Sequence, residues 1–172
     1  PQVVIEQRGG EPTKIFDIND VAFTQIAGHA EIDARTARRL QSEYSPEFDA
    51  LINAIWQKKP AVRMLRTHNS ANPDVVTNGY LRAFVSDKFK TFDNINLLQS
   101  ALPQLMDNPA AFQVVNADVT DKRLYLRLKS LVQTGTGAAL NDLMANGIGL
   151  QNSEVGAGSV SVYQIAWTLA CL

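Results

Sequence analysis

Two short segments of the chain alternate apolar and polar side chains with a period of two. In the first, Leu81, Ala83 and Val85 alternate with aromatic and polar residues. In the second, from Arg123 to Lys129, leucines alternate with cations and a tyrosine. Because successive side chains on a strand point to opposite faces, each segment predicts a strand with one face on a core and one toward solvent. This pattern is typical of antiparallel sheets and constrains the fold more than any other feature.

Helical periodicity dominates the first third of the chain. Ser45-Pro46 is typical of a helix start, with the serine as cap and the proline at the first helical position. The apolar residues after it recur at helical spacing and include Phe48 and Trp56. Further helices are predicted over residues 17–28, 33–44 and 94–106, the last with Asp93 as its cap and Pro103 as a possible kink.

The predicted elements combine into an α+β fold. N-terminal helices pack on an antiparallel sheet built from two hairpins separated by a helix, and a C-terminal strand pair begins near Val160. The segment 133–145 is small and polar, which predicts a flexible excursion. A length of 172 residues predicts a single domain over residues 1–172. Since the chain begins at Pro1 and ends inside an apolar run, we expect it to be part of a longer product.

Charge and cysteine content limit the classes of function. The formal net charge is −1, but residues 58–90 hold seven Lys/Arg and two Asp/Glu, a local balance of +5. This basic block favours an anion-facing surface, or a solvated strand pair with compensating acids nearby. No apolar run approaches the roughly 18 residues that span a bilayer, so we expect no membrane insertion. Cys171 is the only cysteine. We interpret it as a small apolar residue of the final strand. Because a single cysteine cannot form an internal disulfide, we expect a reducing, cytoplasmic location.

The chain carries no standard signature of an enzyme. The glycine-rich segment 147–159 lacks the Lys-Ser/Thr ending of a P-loop and does not open a helix, so we interpret it as a sharp strand connection or bulge. Glu154 within it either bonds to backbone amides of its turn or serves metal binding or acid–base chemistry. Asp87 is interpreted as a turn residue. No cofactor and no metal site are predicted.

The polar faces of the two alternating strands give the main functional hypothesis. Single-stranded nucleic acid is bound by cationic grooves that follow the phosphates and by aromatic rings that stack on bases. The faces interleave both kinds of side chain, and the alternative is that helices cover the rings while the arginines extend to the rim. The candidate nucleic-acid-binding residues are Arg63, Arg66, Tyr80, Arg82, Phe84, Lys88, Lys90, Arg123, Tyr125 and Arg127.

Two segments also resemble a known protein family. They read Arg-Ala-Phe-Val-Ser-Asp-Lys-Phe-Lys over residues 82–90 with Phe-Asp-Asn at 92–94, and Asn-Ser-Glu-Val-Gly over residues 152–156. Together with Leu102-Pro103, they resemble a family of uncharacterised phage, prophage and plasmid proteins. The resemblance covers about residues 60–172. Within it, Asn152, Ser153, Glu154 and Gly156 form the second family motif.

The resemblance implies a mobile-element setting in a bacterial host, and the family has no settled activity to carry over. Of the tasks common in that setting, single-strand annealing in recombination best suits helices against a basic, aromatic sheet face. Annealing proteins of this kind often assemble into rings or filaments, so a homo-oligomer is expected. Two alternatives stay open: a metal-dependent enzyme acting on nucleic acid and centred on Glu154, and a non-enzymatic phage protein that binds a partner or assembles.

Overall fold

The computed structural model describes residues 1–6, 12–69, 77–107, 112–136 and 143–169. They form four helices and two four-stranded sheets, which confirms the predicted α+β class. In chain order the elements are β1 (Gln2–Ile5), β2 (Lys14–Ile18), α1 (Asp20–His29), α2 (Ala34–Glu43), α3 (Ser45–Lys58), β3 (Arg63–Asn69), β4 (Gly79–Ser86), α4 (Asn94–Met106), β5 (Phe112–Val119), β6 (Leu124–Thr136), β7 (Leu143–Asn152) and β8 (Ser161–Leu169). No helix in these described ranges is both long and apolar enough to cross a membrane. Cys171 lies outside them.

The chain divides into two compact units, Pro1–Phe89 and Lys90–Leu172. The first unit holds a sheet of order β1-β2-β4-β3, in which β2 and β4 run parallel and the other neighbours antiparallel. Helices α1 and α3 supply Phe23, Ile26, Phe48 and Ile52 to its core, where they meet Leu81 of β4. The apolar stripe of α3 therefore buries as its spacing predicts.

The second unit is an antiparallel meander of order β5-β6-β7-β8, with α4 on one face. Leu124, Leu126 and Leu128 are all buried against α4, as their alternation predicts. Leu97 of α4 and Leu150 of β7 complete this core. Strand β6 therefore has one face on the core, and its other side chains point to the opposite face of the sheet. The single domain predicted from length stays a prediction.

The starts of α2, α3 and α4 follow the sequence pattern, whereas α1 begins at Asp20 because residues 17 and 18 belong to β2. Two of the predicted caps also differ. Asp33 caps α2 by accepting from the backbone N–H groups of Arg35 and Thr36. Ser45 lies inside α3, where its hydroxyl accepts from the side chain of Gln41, and no side chain caps that helix. Asp93 occupies the cap position of α4 without making the capping hydrogen bond. Serine and aspartate thus indicate where a helix begins more reliably than they indicate a side-chain capping hydrogen bond.

The glycine-rich and small-residue segments are more regular than the sequence predicts. Strands β6 and β7 extend through Thr136 and from Leu143, so much of the predicted excursion over 133–145 is paired strand. Residues 137–142 lie outside the described residues. Gly147 and Gly149 lie within β7 rather than in a connection. The turn comes later, and Gly156 takes a positive φ of 73° there, which only glycine adopts without strain.

Candidate nucleic-acid interface

The ten candidate residues divide between the two units. Arg63, Arg66, Tyr80, Arg82, Phe84 and Lys88 belong to the first unit, and Lys90, Arg123, Tyr125 and Arg127 to the second. The polar face of β4 therefore belongs to the first unit and the polar face of β6 to the second.

Helices partly cover the aromatic side of β4. The ring of Phe84 stacks on Trp56 of α3, with 5.1 Å between ring centroids and 3° between planes. The imidazole of His29, at the end of α1, lies 5.9 Å from the same ring. Phe84 is half-buried, so the exposed face predicted from alternation is in large part occupied by neighbouring rings. Tyr80, by contrast, is 54% exposed.

The cations of β3 do not share one face. Arg63 pairs across the ladder with Ser86, whereas Arg66 pairs with buried Ala83. Since they are three positions apart on a strand, Arg63 and Arg66 point to opposite sides of the sheet. A bulge follows Arg66, and the strand continues with exposed residues. The β3–β4 ribbon therefore offers no continuous cationic track in the described residues.

The outward face of the second sheet brings rings and cations together. Across the ladders, Tyr125 is level with Gln151, Arg127 with Gly149, and Lys129 with Gly147. On β8, Tyr163 continues the Arg127 row and Ile165 the Lys129 row. Because directly paired residues point to the same face, these side chains lie opposite the leucines packed on α4. We call the set Tyr125, Arg127, Lys129, Tyr163 and Trp167 the outer face.

Two glycines let the rings of β8 lie across the neighbouring strand. A Cβ on Gly149 would come within 2.8 Å of Cε1 of Tyr163, so the ring rests on that backbone. A Cβ on Gly147 would come within 2.7 Å of Nε1 of Trp167. Sequence reasoning missed both rings, although glycine at alternate positions of a strand is a signal for such a close approach.

The outer face carries more positive than negative charge. Arg127 is exposed and Lys129 half-exposed, and neither has an ion-pair partner among the described residues. Asp118 of β5 pairs with Tyr125 and is the carboxylate that the ladder brings to this face. Tyr163 is 37% exposed. A sheet face with one exposed ring, two half-buried rings and surplus cations is suited to a stacked, negatively charged ligand.

Arg123 stabilises a loop as well as adding charge. Its Nε donates to the carbonyl oxygen of Ala157 at 3.1 Å, and its Nη2 makes a second, very short bond to the same oxygen. Its Nη1 lies 3.5 Å from the hydroxyl of Tyr125. A Cβ on Gly158 would lie 2.8 Å from Nη2. Arg123 therefore connects the start of β6 to the turn before β8, which limits its reach toward a phosphate.

The Asn-Ser-Glu-Val-Gly motif joins the turn after β7 to the start of α4. Asn152 is 2% exposed, and its side-chain amide donates to the carbonyl of Phe92 at 2.8 Å and to Oδ1 of Asn94 at 2.9 Å. Glu154 accepts from the backbone N–H of Asn94 at 2.7 Å. The positive end of the α4 dipole also stabilises a carboxylate at this position.

Ser153 connects the same turn to the β5–β6 hairpin. Its hydroxyl donates to the carbonyl of Lys122 at 2.7 Å and accepts from the backbone N–H of Ala157 at 2.9 Å. Val155 is 1% exposed. The motif is therefore an internal link between α4, a hairpin and a turn, and Glu154 bonds beyond its own turn.

The remaining candidates lie in the connection before α4. Lys88 and Lys90 are both exposed and flank half-buried Phe89. Asp87 lies in the turn after β4, where its carboxylate accepts from the hydroxyl of Ser86 at 3.2 Å. The described parts of the chain contain no group of three or more His, Cys, Asp or Glu side chains that could hold a metal ion. The enzyme alternative centred on Glu154 stays a prediction.

The resemblance to mobile-element proteins stays a prediction. Comparison of the chain with protein-family models, with curated proteins and with solved structures finds no match.

Proposed function

We propose that this protein binds single-stranded nucleic acid on the outer face of its second sheet. The observation that carries the proposal is that Tyr163 lies over Gly149 in the same row as exposed Arg127. A base stacks on the tyrosine ring while the guanidinium contacts the adjoining phosphate. Tyr125, one row along, offers a second ring, and Lys129 a second cation.

The magnitudes favour a binder without strong sequence preference. Stacking of one base on an aromatic ring contributes about 1–3 kcal/mol and tolerates any base. Each phosphate neutralised on a single strand adds about 0.7 to the slope of log affinity against log salt. Two rings and two cations thus predict a short site whose log affinity falls with log salt with a modest slope of about 1.4. An annealing role in a mobile genetic element is part of the proposal and rests on the family resemblance.

A fluorescence titration tests the binding surface. The chain has two tryptophans, so Trp56→Phe leaves Trp167, on the outer face, as the only one. In that background, a single-stranded oligonucleotide should quench Trp167. Arg127→Gln should weaken binding and lower the salt slope by about 0.7. The matched control is Arg39→Gln, which removes an exposed arginine of α2 and should leave both quantities unchanged. Equal affinity and equal slope in the two variants would refute the proposal.

One observation favours a second candidate, assembly through the edge of this sheet. Strand β5 is exposed along nearly its whole length, and Val114 and Val119 are 55% and 68% exposed. Its outer edge has no strand partner in the described residues. Long apolar edge strands pair readily with another chain. Val114→Lys should convert an assembled protein to monomer in sedimentation velocity, and a wild-type monomer at high concentration would remove this candidate.

A further inference from the structure

The first unit contains a cavity with aromatic walls and a cationic rim. Its volume is about 380 Å³, which lies within the range of roughly 300–1,000 Å³ for small-molecule sites. It forms where the end of α1, the end of α3 and strands β3 and β4 meet. The lining residues used below are His29, Trp56, Lys59, Arg63 and Phe84.

Three rings form the wall of this cavity. Trp56 and Phe84 stack nearly parallel, 3° apart. His29 tilts against both, with centroid distances of 6.4 Å to Trp56 and 5.9 Å to Phe84. The stack places one face of each ring against the other, and Arg63 lies over the Phe84 ring, 6.0 Å from its centroid. The parts of the rings that line the cavity are apolar, which favours a planar ligand over a branched one.

The cavity carries one positive charge that no described carboxylate neutralises. Nη2 of Arg63 lies 2.7 Å from Nδ1 of His29. Because arginine can only donate, Nδ1 accepts and the imidazole is neutral. Burial, and then the charges of Arg63 and Lys59, lower the pKa of His29, which agrees with a neutral ring. Lys59 is paired with Glu31 at 2.7 Å, so the surplus charge belongs to Arg63.

We propose that this cavity binds a planar aromatic ring that carries a negatively charged group. The ring packs against the Trp56 and Phe84 wall, and the anion accepts from the guanidinium N–H groups of Arg63 that His29 leaves unused. Arginine suits this role because its fork binds carboxylate or phosphate with two parallel hydrogen bonds. The inference does not depend on the outer face, which belongs to the other unit.

Adenosine monophosphate is a suitable probe because it combines both features. The Trp167→Phe variant leaves Trp56 as the only tryptophan, so quenching reports binding at this cavity. We expect saturable quenching by adenosine monophosphate, and at least tenfold weaker binding of adenosine and of inorganic phosphate. Equal binding of adenosine would overturn the role of the anion. Equal binding of phosphate would overturn the role of the ring, and no saturable quenching would overturn the whole proposal.

Variants at one position separate charge from geometry. Arg63→Gln should weaken binding about tenfold or more, since a charge-assisted hydrogen bond is lost. Arg63→Lys keeps the charge but lacks the two-pronged guanidinium, so its affinity should lie between those of the wild type and Arg63→Gln. The matched control Arg38→Gln removes an arginine that pairs with Asp20 and does not line the cavity, so affinity should not change. Loss of affinity equal to that of Arg63→Gln in this control would overturn the assignment.

A second probe separates two sources of the same chemistry. A 5′-phosphorylated trinucleotide carries the phosphate and base on the end of a strand, whereas the mononucleotide is free. Tighter binding of the trinucleotide at Trp56 would assign the cavity to strand ends, and tighter binding of the mononucleotide would assign it to free nucleotides. Both outcomes support the proposal. Because Trp167 reports the outer face in the Trp56→Phe variant, failure at one surface is distinguishable from failure at the other.

Discussion

Two glycines in one strand should respond differently to the same added methyl group. Gly147 and Gly149 both lie in β7 and both face a ring of β8. At Gly149, the atoms closest to the added methyl carbon all belong to the ring of Tyr163. At Gly147, the closest atom is the carbonyl oxygen of Leu128, in the neighbouring strand. A side chain can rotate away, but a carbonyl in a ladder can move only with its strand.

The expected magnitudes follow from that difference. In Gly149→Ala, displacing the Tyr163 ring costs about 0.5–1.5 kcal/mol of rotamer strain. Reduced freedom of the unfolded chain offsets about 0.4–1 kcal/mol of this. The net change in unfolding free energy should be within about 1 kcal/mol. Gly147→Ala forces overpacking against backbone and should cost about 1–3 kcal/mol.

Gly149→Ala, which should have the smaller effect on stability, should have the larger effect on oligonucleotide affinity. If Tyr163 is a stacking ring, moving it removes about 1–3 kcal/mol per base, which corresponds to about 5- to 150-fold weaker binding. Urea denaturation followed by circular dichroism measures stability, and anisotropy of a labelled oligonucleotide measures affinity. Unchanged affinity in a stably folded Gly149→Ala protein would refute the stacking role of Tyr163. Equal stability losses in the two variants would refute the geometric argument.

Two further predictions concern stability. Asn152→Ala removes the donor to the carbonyl of Phe92 and to Oδ1 of Asn94, so it should lower the unfolding free energy by about 1–3 kcal/mol. Gln151→Ala, at a half-exposed neighbour, should cost far less in the same urea titration. Because the pKa of His29 is lowered, the unfolded chain gains a proton below about pH 6.5 that the folded chain excludes. The free energy of unfolding should therefore fall as the pH drops below that value, until the pH reaches the pKa of His29 in the folded protein. His29→Gln should remove this pH dependence, and the control His68→Gln should keep it.

Local periodicity predicted most of the elements of this fold. The bounds of α4, the antiparallel hairpins and the buried leucines of β6 follow from patterns of a few residues. The division into two sheets does not, because strand order depends on contacts between distant segments. The parallel pairing of β2 with β4 joins residues about sixty positions apart, and no local spacing signals it.

The sequence predicted which side chains of a strand share a face, but it did not predict where a helix covers that face. Alternation correctly separates Phe84 from Ala83, and Arg127 from Leu126, because it depends on the strand alone. It carries no information on what packs above each face. Trp56 is brought over Phe84 by the crossing of α3, whereas the described residues beside Arg127 on its face belong to neighbouring strands and include two glycines.

The same residue types therefore support different chemistry in the two units. Where helices flank rings and an arginine, the space between them is a partly enclosed cavity, and a bound anion loses part of its water. The stronger interaction with Arg63 must then offset that loss, which favours a small ligand that fits well. Where rings and cations lie on an open sheet, water screens each contact, and affinity requires several repeats along a polymer. The arrangement of Tyr125, Arg127 and Tyr163 fits the second case, and that of Trp56, Phe84 and Arg63 fits the first.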